Sequence, residues 1–555
     1  MQFLERKAPE PAFEPKPARE ESPARLIEEQ KVTLLACILG AVASIGGFMF
    51  GYVSGQISGY FDMEDFGRRF GEADDTGKYV FSAVRQGTIV GLLPAGSLIG
   101  SLVAGRIADT LGRRKAISLS ALFTCIGSTI EISAQESWVH YAIGRLVIGF
   151  GIGSLSVCVP MYQSESSPAI IRGVLVSCYQ LFITLGIWTA EMVDYGTHNA
   201  YSNSAQWRIP SGISFLWALL LGVGILALPE SPRFAYRIGR EDEARHTIAK
   251  LAGVDINAPS VNFQVDEIRQ KLDEEKAGAE TRWYEIFTGP RMLYRTVIGI
   301  VLQVRASHLP GHHAANNAPQ SGQQLTGANF FFYYGTTIFR ATGISDSYVT
   351  QIILGSVNVG CTIGGLWIVK NCGRRKALMF GAAWMMVCFL VYSFVGHFAL
   401  DQSNPQNSPA AGAVLITFSC LFIVAFATTW GPLVWTVVAE LYPARYRAPA
   451  MAVATASNWF WNFMLSFFTR FITDAIDYLY GLVFAGCCAV LVLVVFFFVI
   501  ESKDRTLEEI DTMYLMHVNP ITSHKWQVLN REKAPSTTGS ESQHAEGGRG
   551  DGNMA

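Results

Sequence analysis

The chain has 555 residues, half of them hydrophobic and only 16% charged, against roughly 25% charged in soluble domains. Its 43 Lys and Arg nearly cancel its 45 Asp and Glu, leaving a net charge of −2, so nothing in the charge balance points to nucleic acid. The ten cysteines form no CxxC pair and no zinc-ligand spacing, so neither a metal nor a cofactor is expected.

Residues 1–31 are rich in Pro, Glu and Lys. They are too poor in apolar side chains to bury a core and read as a disordered tail, with no cleavable signal peptide. Crossing the hydrocarbon of a bilayer takes about 20 apolar residues per helix. Such stretches lie at 32–54, 82–107, 116–134, 138–162, 173–193 and 208–228. A charged segment, 230–293, follows, with helical patterns at 241–251 and 264–276. A second set lies at 294–341 (interrupted), 347–369, 377–398, 412–438, 448–472 and 478–500. The fold class is therefore an all-α membrane protein with twelve transmembrane helices in two six-helix bundles, 32–229 and 294–502, joined by a helical linker, 230–293. Residues 503–555 form a tail that turns Ser- and Gly-rich after Ser536. The Gly149-x-Gly151-x-Gly153 run lies inside an apolar helix with no strand before it, so it reads as close helix packing rather than as a nucleotide loop.

Arg113, Arg114 and Lys115 follow the second stretch, Arg374, Arg375 and Lys376 follow the eighth, and Arg233, Arg237, Arg240, Arg245 and Lys250 follow the sixth. An even number of spans precedes each cluster, so all three share one side. The excess of Lys and Arg makes that side the cytoplasm, and both termini are expected there. The halves also repeat. Leu111-Gly112-Arg113-Arg114-Lys115-Ala116 recurs as Cys372-Gly373-Arg374-Arg375-Lys376-Ala377, and Glu165-x-x-Pro168-x-x-x-Arg172 recurs as Glu440-x-x-Pro443-x-x-x-Arg447. Repeated six-helix halves are the mark of a secondary transporter with its site between them.

Further motifs stand in a fixed order. They are Gly105-Arg106-Ile107-Ala108-Asp109, Gly144-Arg145, Pro160-Met161-Tyr162, Pro229-Glu230-Ser231-Pro232-Arg233, Gln323-Gln324-Leu325-Thr326-Gly327-Ala328-Asn329, Ala439-Glu440-Leu441-Tyr442-Pro443 and Glu501-Ser502-Lys503-Asp504-Arg505. In these residues the chain, over about 32–515, resembles the sugar porter family of the major facilitator superfamily, and most of all fungal hexose transporters. The resemblance implies a sugar carried between two bundles that rock about it, in a lipid bilayer such as the plasma membrane, by a protein acting as a monomer without covalent chemistry.

A neutral sugar offers hydroxyls that donate and accept, together with an apolar ring face. Amides match the first and flat aromatics the second. Amides within apolar helices are costly and point to function. The positions that match the family's sugar-binding residues are Gln180, Gln323, Gln324, Asn329, Asn358, Trp435 and Asn462, with Asn458 beside them. Phe330, Phe331 and Phe332 read as lipid-facing and packing residues. For Asp109, Arg113, Glu165, Arg172, Glu440, Arg445 and Arg447 the resemblance implies ion pairs at the cytoplasmic ends that latch the halves together. Their loss would shift the inward–outward population.

The chain departs from the family in three places. Val53 stands where many relatives carry an acid near the Arg matched by Arg145. Proton-coupled members use that acid, and valine cannot ionise, so facilitated diffusion is expected. Lys370 stands where the first half has Asp109. Residues 304–322, with His308, Pro310, His312, His313 and Pro319, interrupt the seventh helix. Such a polar stretch cannot lie in hydrocarbon, and it reads either as a loop or plug, or as an unspliced intron carried into the translated sequence. His312 and His313 have no ligand partners to make a metal site. The alternatives left open are proton-coupled symport of a hexose, pentose or quinate, a disaccharide porter, and a non-transporting sugar sensor, against which the short tail speaks.

Overall fold

The structure is a computed structural model. It describes residues 32–74, 77, 79–168, 171–277, 320–333, 347–401, 407–441, 447–503, 512–514, 516, 518–523 and 526. The expected disordered tail at 1–31, the terminal Ser/Gly-rich stretch and residues 304–319 of the insert lie outside the described residues.

Among the described residues ten segments are long and apolar enough to cross a membrane. The last of them, Met451–Phe498, spans two helices, Arg447–Ile476 and Tyr480–Phe498, parted by a turn at Asp477–Leu479. The first six spans are Leu34–Tyr60, Ala83–Leu111, Arg113–Ser133, Trp138–Ser166, Arg172–Ala200 and Ala205–Gly224. The eighth is Ser347–Asn371 and the ninth Arg374–Phe398. The tenth runs through Pro409–Ala425, a π-helical turn at Phe426–Trp430, and Gly431–Leu441. The eleventh and twelfth are the two helices of the last segment. Of the seventh, expected at 294–341, the described part is Gln320–Leu325 and helical residues 328–333, joined at Gly327 with φ +87°. That left-handed backbone suits glycine, and it breaks the helix beside the residues expected to bind substrate.

Small residues let the helices approach. A Cβ on Gly149 or Gly153 would strike the carbonyl oxygen of Leu93 or Ser97 on the second span, and one on Gly151 would come within 2.6 Å of Ser120 O on the third. The glycine run is thus a packing seam, as its setting in an apolar helix suggests. The same helices are tied by Ser97 Oγ, which donates to Gly149 O at 2.9 Å, and Ser154 Oγ, which donates to Gly100 O at 3.1 Å. The fifth helix runs to Ala200, beyond the expected end at 193. Its acids Glu191 and Asp194 lowered the apolar signal, yet both are buried between the halves.

The linker holds helices Pro232–Arg237, Glu241–Ala252 and Pro259–Ala277. Where the second span meets the third, Gly112 (φ +88°) leaves room for Glu230, which accepts from the backbone N–H of Arg113 at 3.1 Å and Arg114 at 3.3 Å. The second half repeats the device: Glu501 accepts from the N–H of Arg374 at 2.8 Å and Arg375 at 3.3 Å, beside Gly373. Each glutamate satisfies orphan donors at a helix N-terminus and complements its dipole.

Candidate substrate-binding site

A cavity lies between the halves, near the middle of the helices that line it. The second half contributes Gln323, Gln324, Asn329, Asn358, Trp435 and Asn458; the first contributes Gln180. Among the described residues none of the lining side chains is charged: the rest are Phe50, Ser54, Ile183, Thr184, Ile187, Ala328, Phe332, Tyr333 and Phe426.

The amides are held by one another. Gln323 Nε2 donates to the carbonyls of Trp430 and Gly431 at 3.2 and 3.1 Å. Those carbonyls sit at the end of the π-helical turn, where the wider winding frees backbone groups from the usual ladder. Asn458 Nδ2 donates to Gln323 Oε1 at 3.4 Å, and Gln324 Nε2 donates to Asn458 Oδ1 at 3.1 Å. Asn329 Nδ2 donates to Gln324 Oε1 across the break at Gly327. Across to the first half, Trp435 Nε1 donates to Gln180 Oε1 at 3.1 Å. Asn358 is buried, and its Oδ1 has no hydrogen-bond partner among the described residues. A buried amide oxygen without a partner costs about 1–3 kcal/mol, so this one is poised for a ligand hydroxyl.

Asn462 is not on the cavity wall. It stands behind Tyr333, accepting from the Tyr333 hydroxyl at 3.1 Å and from Ser466 Oγ at 3.1 Å, and thus positions a residue that is on the wall. The expectation for the three phenylalanines is corrected. All three are buried rather than lipid-facing, and Phe332 lines the cavity. Phe331 stacks on Phe389 at 5.6 Å, and Phe330 meets Tyr480 edge-on at 5.6 Å. Sequence reasoning passed over Ile183, Thr184, Ile187 and Tyr333. The signal was there: the first three follow Gln180 at helical spacing, and Tyr333 follows Asn329 by one turn.

Arg145 is fully buried and donates from Nη1 to the main-chain oxygen of Val53 at 3.0 Å. It meets the backbone of the first span there, not an acid. Glu131 lies 3.9 Å from its Nε. At the linker end, Arg113 pairs with Glu165 at 2.9 Å and with Asp109 at 3.3 Å, and Arg237 pairs with Asp109 at 2.9 Å. Ser231 Oγ also donates to Glu165. Arg172 donates to Ser167 O at 3.4 Å. These contacts stay within the first half and its linker. The side chains of Lys370, Glu440, Arg445 and Arg447 lie outside the described residues.

Two repeated helical halves around a neutral, amide-lined cavity define a secondary transporter of the major facilitator fold. A structure of a proton:xylose symporter, XylE, bound to 6-bromo-6-deoxy-D-glucose has the same fold, with a TM-score of 0.72 at 23% identity over 87% of this chain and 100% of that one. The chain belongs to the family described as "Sugar (and other) transporter", which matches residues 39–514. It is a transporter and not an enzyme. It is 42% identical over 500 residues to hexose transporter HXT10 of Saccharomyces cerevisiae, covering 90% of this chain and 88% of that protein. It is 42% identical over 505 residues to a low-affinity glucose transporter of Kluyveromyces lactis, covering 90% and 85%. It is 41% identical over 497 residues to the high-affinity fructose transporter ght6 of Schizosaccharomyces pombe, covering 89% and 90%.

Proposed function

We propose that this protein carries a hexose, glucose foremost, across the plasma membrane by facilitated diffusion, as a monomer with both termini in the cytoplasm. The observation that carries the reading is the cavity wall: amides from both halves, aromatic faces at Phe332, Phe426 and Trp435, and no charged side chain among the described residues. Amide N–H groups donate to sugar oxygens, amide oxygens accept from sugar hydroxyls, and the apolar ring face lies on the aromatics. Asn358 Oδ1 accepts one hydroxyl without first giving up a protein partner. Gln180 and the amides of the second half together bridge the halves through the substrate, so that its binding energy favours the closed cavity over either open form. The Asp109, Arg113 and Glu165 set, with Arg172, Glu440, Arg445 and Arg447, latches the cytoplasmic side in the opposite phase of the cycle.

Facilitated diffusion rests on Val53, whose backbone occupies the reach of Arg145. Proton symport is kept as a second reading by one observation, the buried Glu131 3.9 Å from Arg145. Labelled glucose uptake in cells lacking their own hexose transporters, with and without a protonophore, tests both. Uptake that survives the protonophore supports facilitated diffusion. Cytosolic acidification by a glucose pulse would overturn it. Sequencing the spliced transcript across 304–322 decides whether those residues belong to the protein.

A further inference from the structure

The fifth span carries two carboxylates that the central cavity does not use. Glu191 and Asp194 are 5% and 1% exposed, and none of their four oxygens has a hydrogen-bond partner among the described residues. With Ser58 and Gly59 of the first span and Tyr348 and Gln351 of the eighth they line a cavity of about 10 Å³, room for about one water or one small ion. Gln351 Oε1 is also buried and unpartnered. The place is shaped for these acids. A Cβ on Gly355 would strike Glu191 Oε2, and one on Gly59 would come within 2.7 Å of Asp194 Oδ2.

The cavity sits in the seam between the halves, at the end of the bundle away from the linker, and that seam is shut. Tyr348 donates its hydroxyl to Gly59 O at 2.6 Å, Ser347 Oγ donates to Asp62 Oδ2 at 3.2 Å, and Gln351 Nε2 donates to Ser58 Oγ at 3.4 Å. Among the described residues no positive charge acts on the pair, and two ionised carboxylates sealed together in that way would cost far more than such a seam returns. We propose that the seam is a monovalent-cation site: a proton or an alkali ion from the outer medium binds between Glu191 and Asp194, and only then does the outer gate close. A divalent ion is disfavoured, because no group of three His, Cys, Asp or Glu side chains gathers among the described residues, and Ca²⁺ asks for six to eight oxygens. The cation enters and leaves on one side, so it gates transport without being carried.

Other groups face the site. Tyr52 and Tyr60 on the first span and Tyr141 on the fourth lie within electrostatic reach of Asp194, and Tyr348 lines the cavity. These phenols carry no charge near neutral pH. Asp62 accepts from Ser347, and the His198 ring stacks on Tyr348 at 4.7 Å; these two side chains lie beside the site and are therefore the controls. The outward direction of this face rests on the orientation proposed above, but the test does not use sugar, so a wrong substrate assignment leaves its outcome intact.

The full chain is placed in lipid nanodiscs with spin labels at Ser202→Cys and Ala399→Cys, exposed positions on the two halves, after the accessible native cysteines are changed to Ser. Inter-label distances are then read while pH falls from about 8.5 to about 5.5 at fixed sodium, and while sodium replaces choline at fixed pH. The expected result is a shift toward the short, closed distance in one series, by up to about tenfold in the closed-to-open ratio per pH unit for each proton bound. The series that responds identifies the cation. Glu191→Gln with Asp194→Asn stays closed throughout, whereas His198→Gln and Asp62→Asn keep the response. Gly355→Ala, whose methyl takes the space of the Glu191 carboxyl, favours the open form in every condition and serves if the double variant fails to fold. Distances indifferent to both proton and sodium, or a response that survives the double variant or vanishes with His198→Gln alone, would overturn the proposal.

Discussion

At the corner of the first half, Glu230 gathers the backbone N–H groups of Arg113 and Arg114; at the corner of the second, Glu501 gathers those of Arg374 and Arg375. Even the guanidinium groups match: Arg114 reaches Leu226 O at 2.5 Å and Arg375 reaches Phe496 O at 2.6 Å. Around the cavity the halves are unlike. The second half offers five amides, four of them in a connected set, and the first offers Gln180 among Phe50, Ile183 and Ile187. Repetition holds where each bundle must terminate its helices, a problem both halves share. It lapses where an asymmetric ligand has to be held, because a sugar does not present the same face twice.

The contrast can be broken most severely at Gln323. Gln323→Leu strands two carbonyls and Asn458, at about 1–3 kcal/mol for each buried group. Glucose uptake should fall by about 10- to 100-fold. Ile187→Ala, on the apolar wall, should cost less than about tenfold, and equal losses would erase the distinction between the walls. Next come the corners. Glu230→Ala and Glu501→Ala each remove charge-assisted hydrogen bonds worth about 1.5–3 kcal/mol apiece, so each should lower the melting temperature by on the order of 5 °C. A loss confined to one variant would show that the corners are alike in shape only. Glu165→Gln weakens the pair with Arg113 and should change uptake severalfold through the inward–outward population. Glucose affinity measured by equilibrium binding should move less.

The smallest effect belongs to the loop between the first and second spans. Asp65 on the short helix Glu64–Phe70 accepts from Arg69 at 2.7 Å, Arg68 at 2.8 Å and Trp207 Nε1 at 3.2 Å. Burial pushes its carboxyl up, but these hydrogen bonds outweigh burial and hold it below the usual carboxylate range. A depressed folded value stabilises the native state above about pH 4, and that contribution is lost as pH falls through the folded value. Melting between about pH 5 and about pH 3 should therefore destabilise the parent protein more than Asp65→Asn.

Most of the cavity wall was legible because an amide inside an apolar helix has few reasons to be there. Gln180, Gln323, Gln324, Asn329, Asn358, Trp435 and Asn458 do meet around one space. Asn462 follows Asn458 by one helical turn and shares its face, yet Tyr333 stands between it and the cavity; no spacing within one helix foretells what a different helix inserts. Phe332 was misread because three consecutive phenylalanines carry no period, and the break at Gly327 resets the direction in which each one points. The fifth helix runs past its expected end at 193 through Asp194, an acid of the kind that ordinarily marks an aqueous end but is buried here.

What the amino-acid order determined by itself is the set of spans, their repetition and the stock of uncharged polar groups within them. A bilayer obliges each helix to satisfy its own backbone, so that information is local. Tertiary structure alone decided which groups meet. The acids of the fifth span face Gln351 of the eighth across a sealed seam, and Arg145 spends its charge on the Val53 carbonyl and lies 3.9 Å from Glu131. These encounters join residues far apart in the chain. They depend on how whole helices pack side by side, a lateral arrangement that no single span encodes.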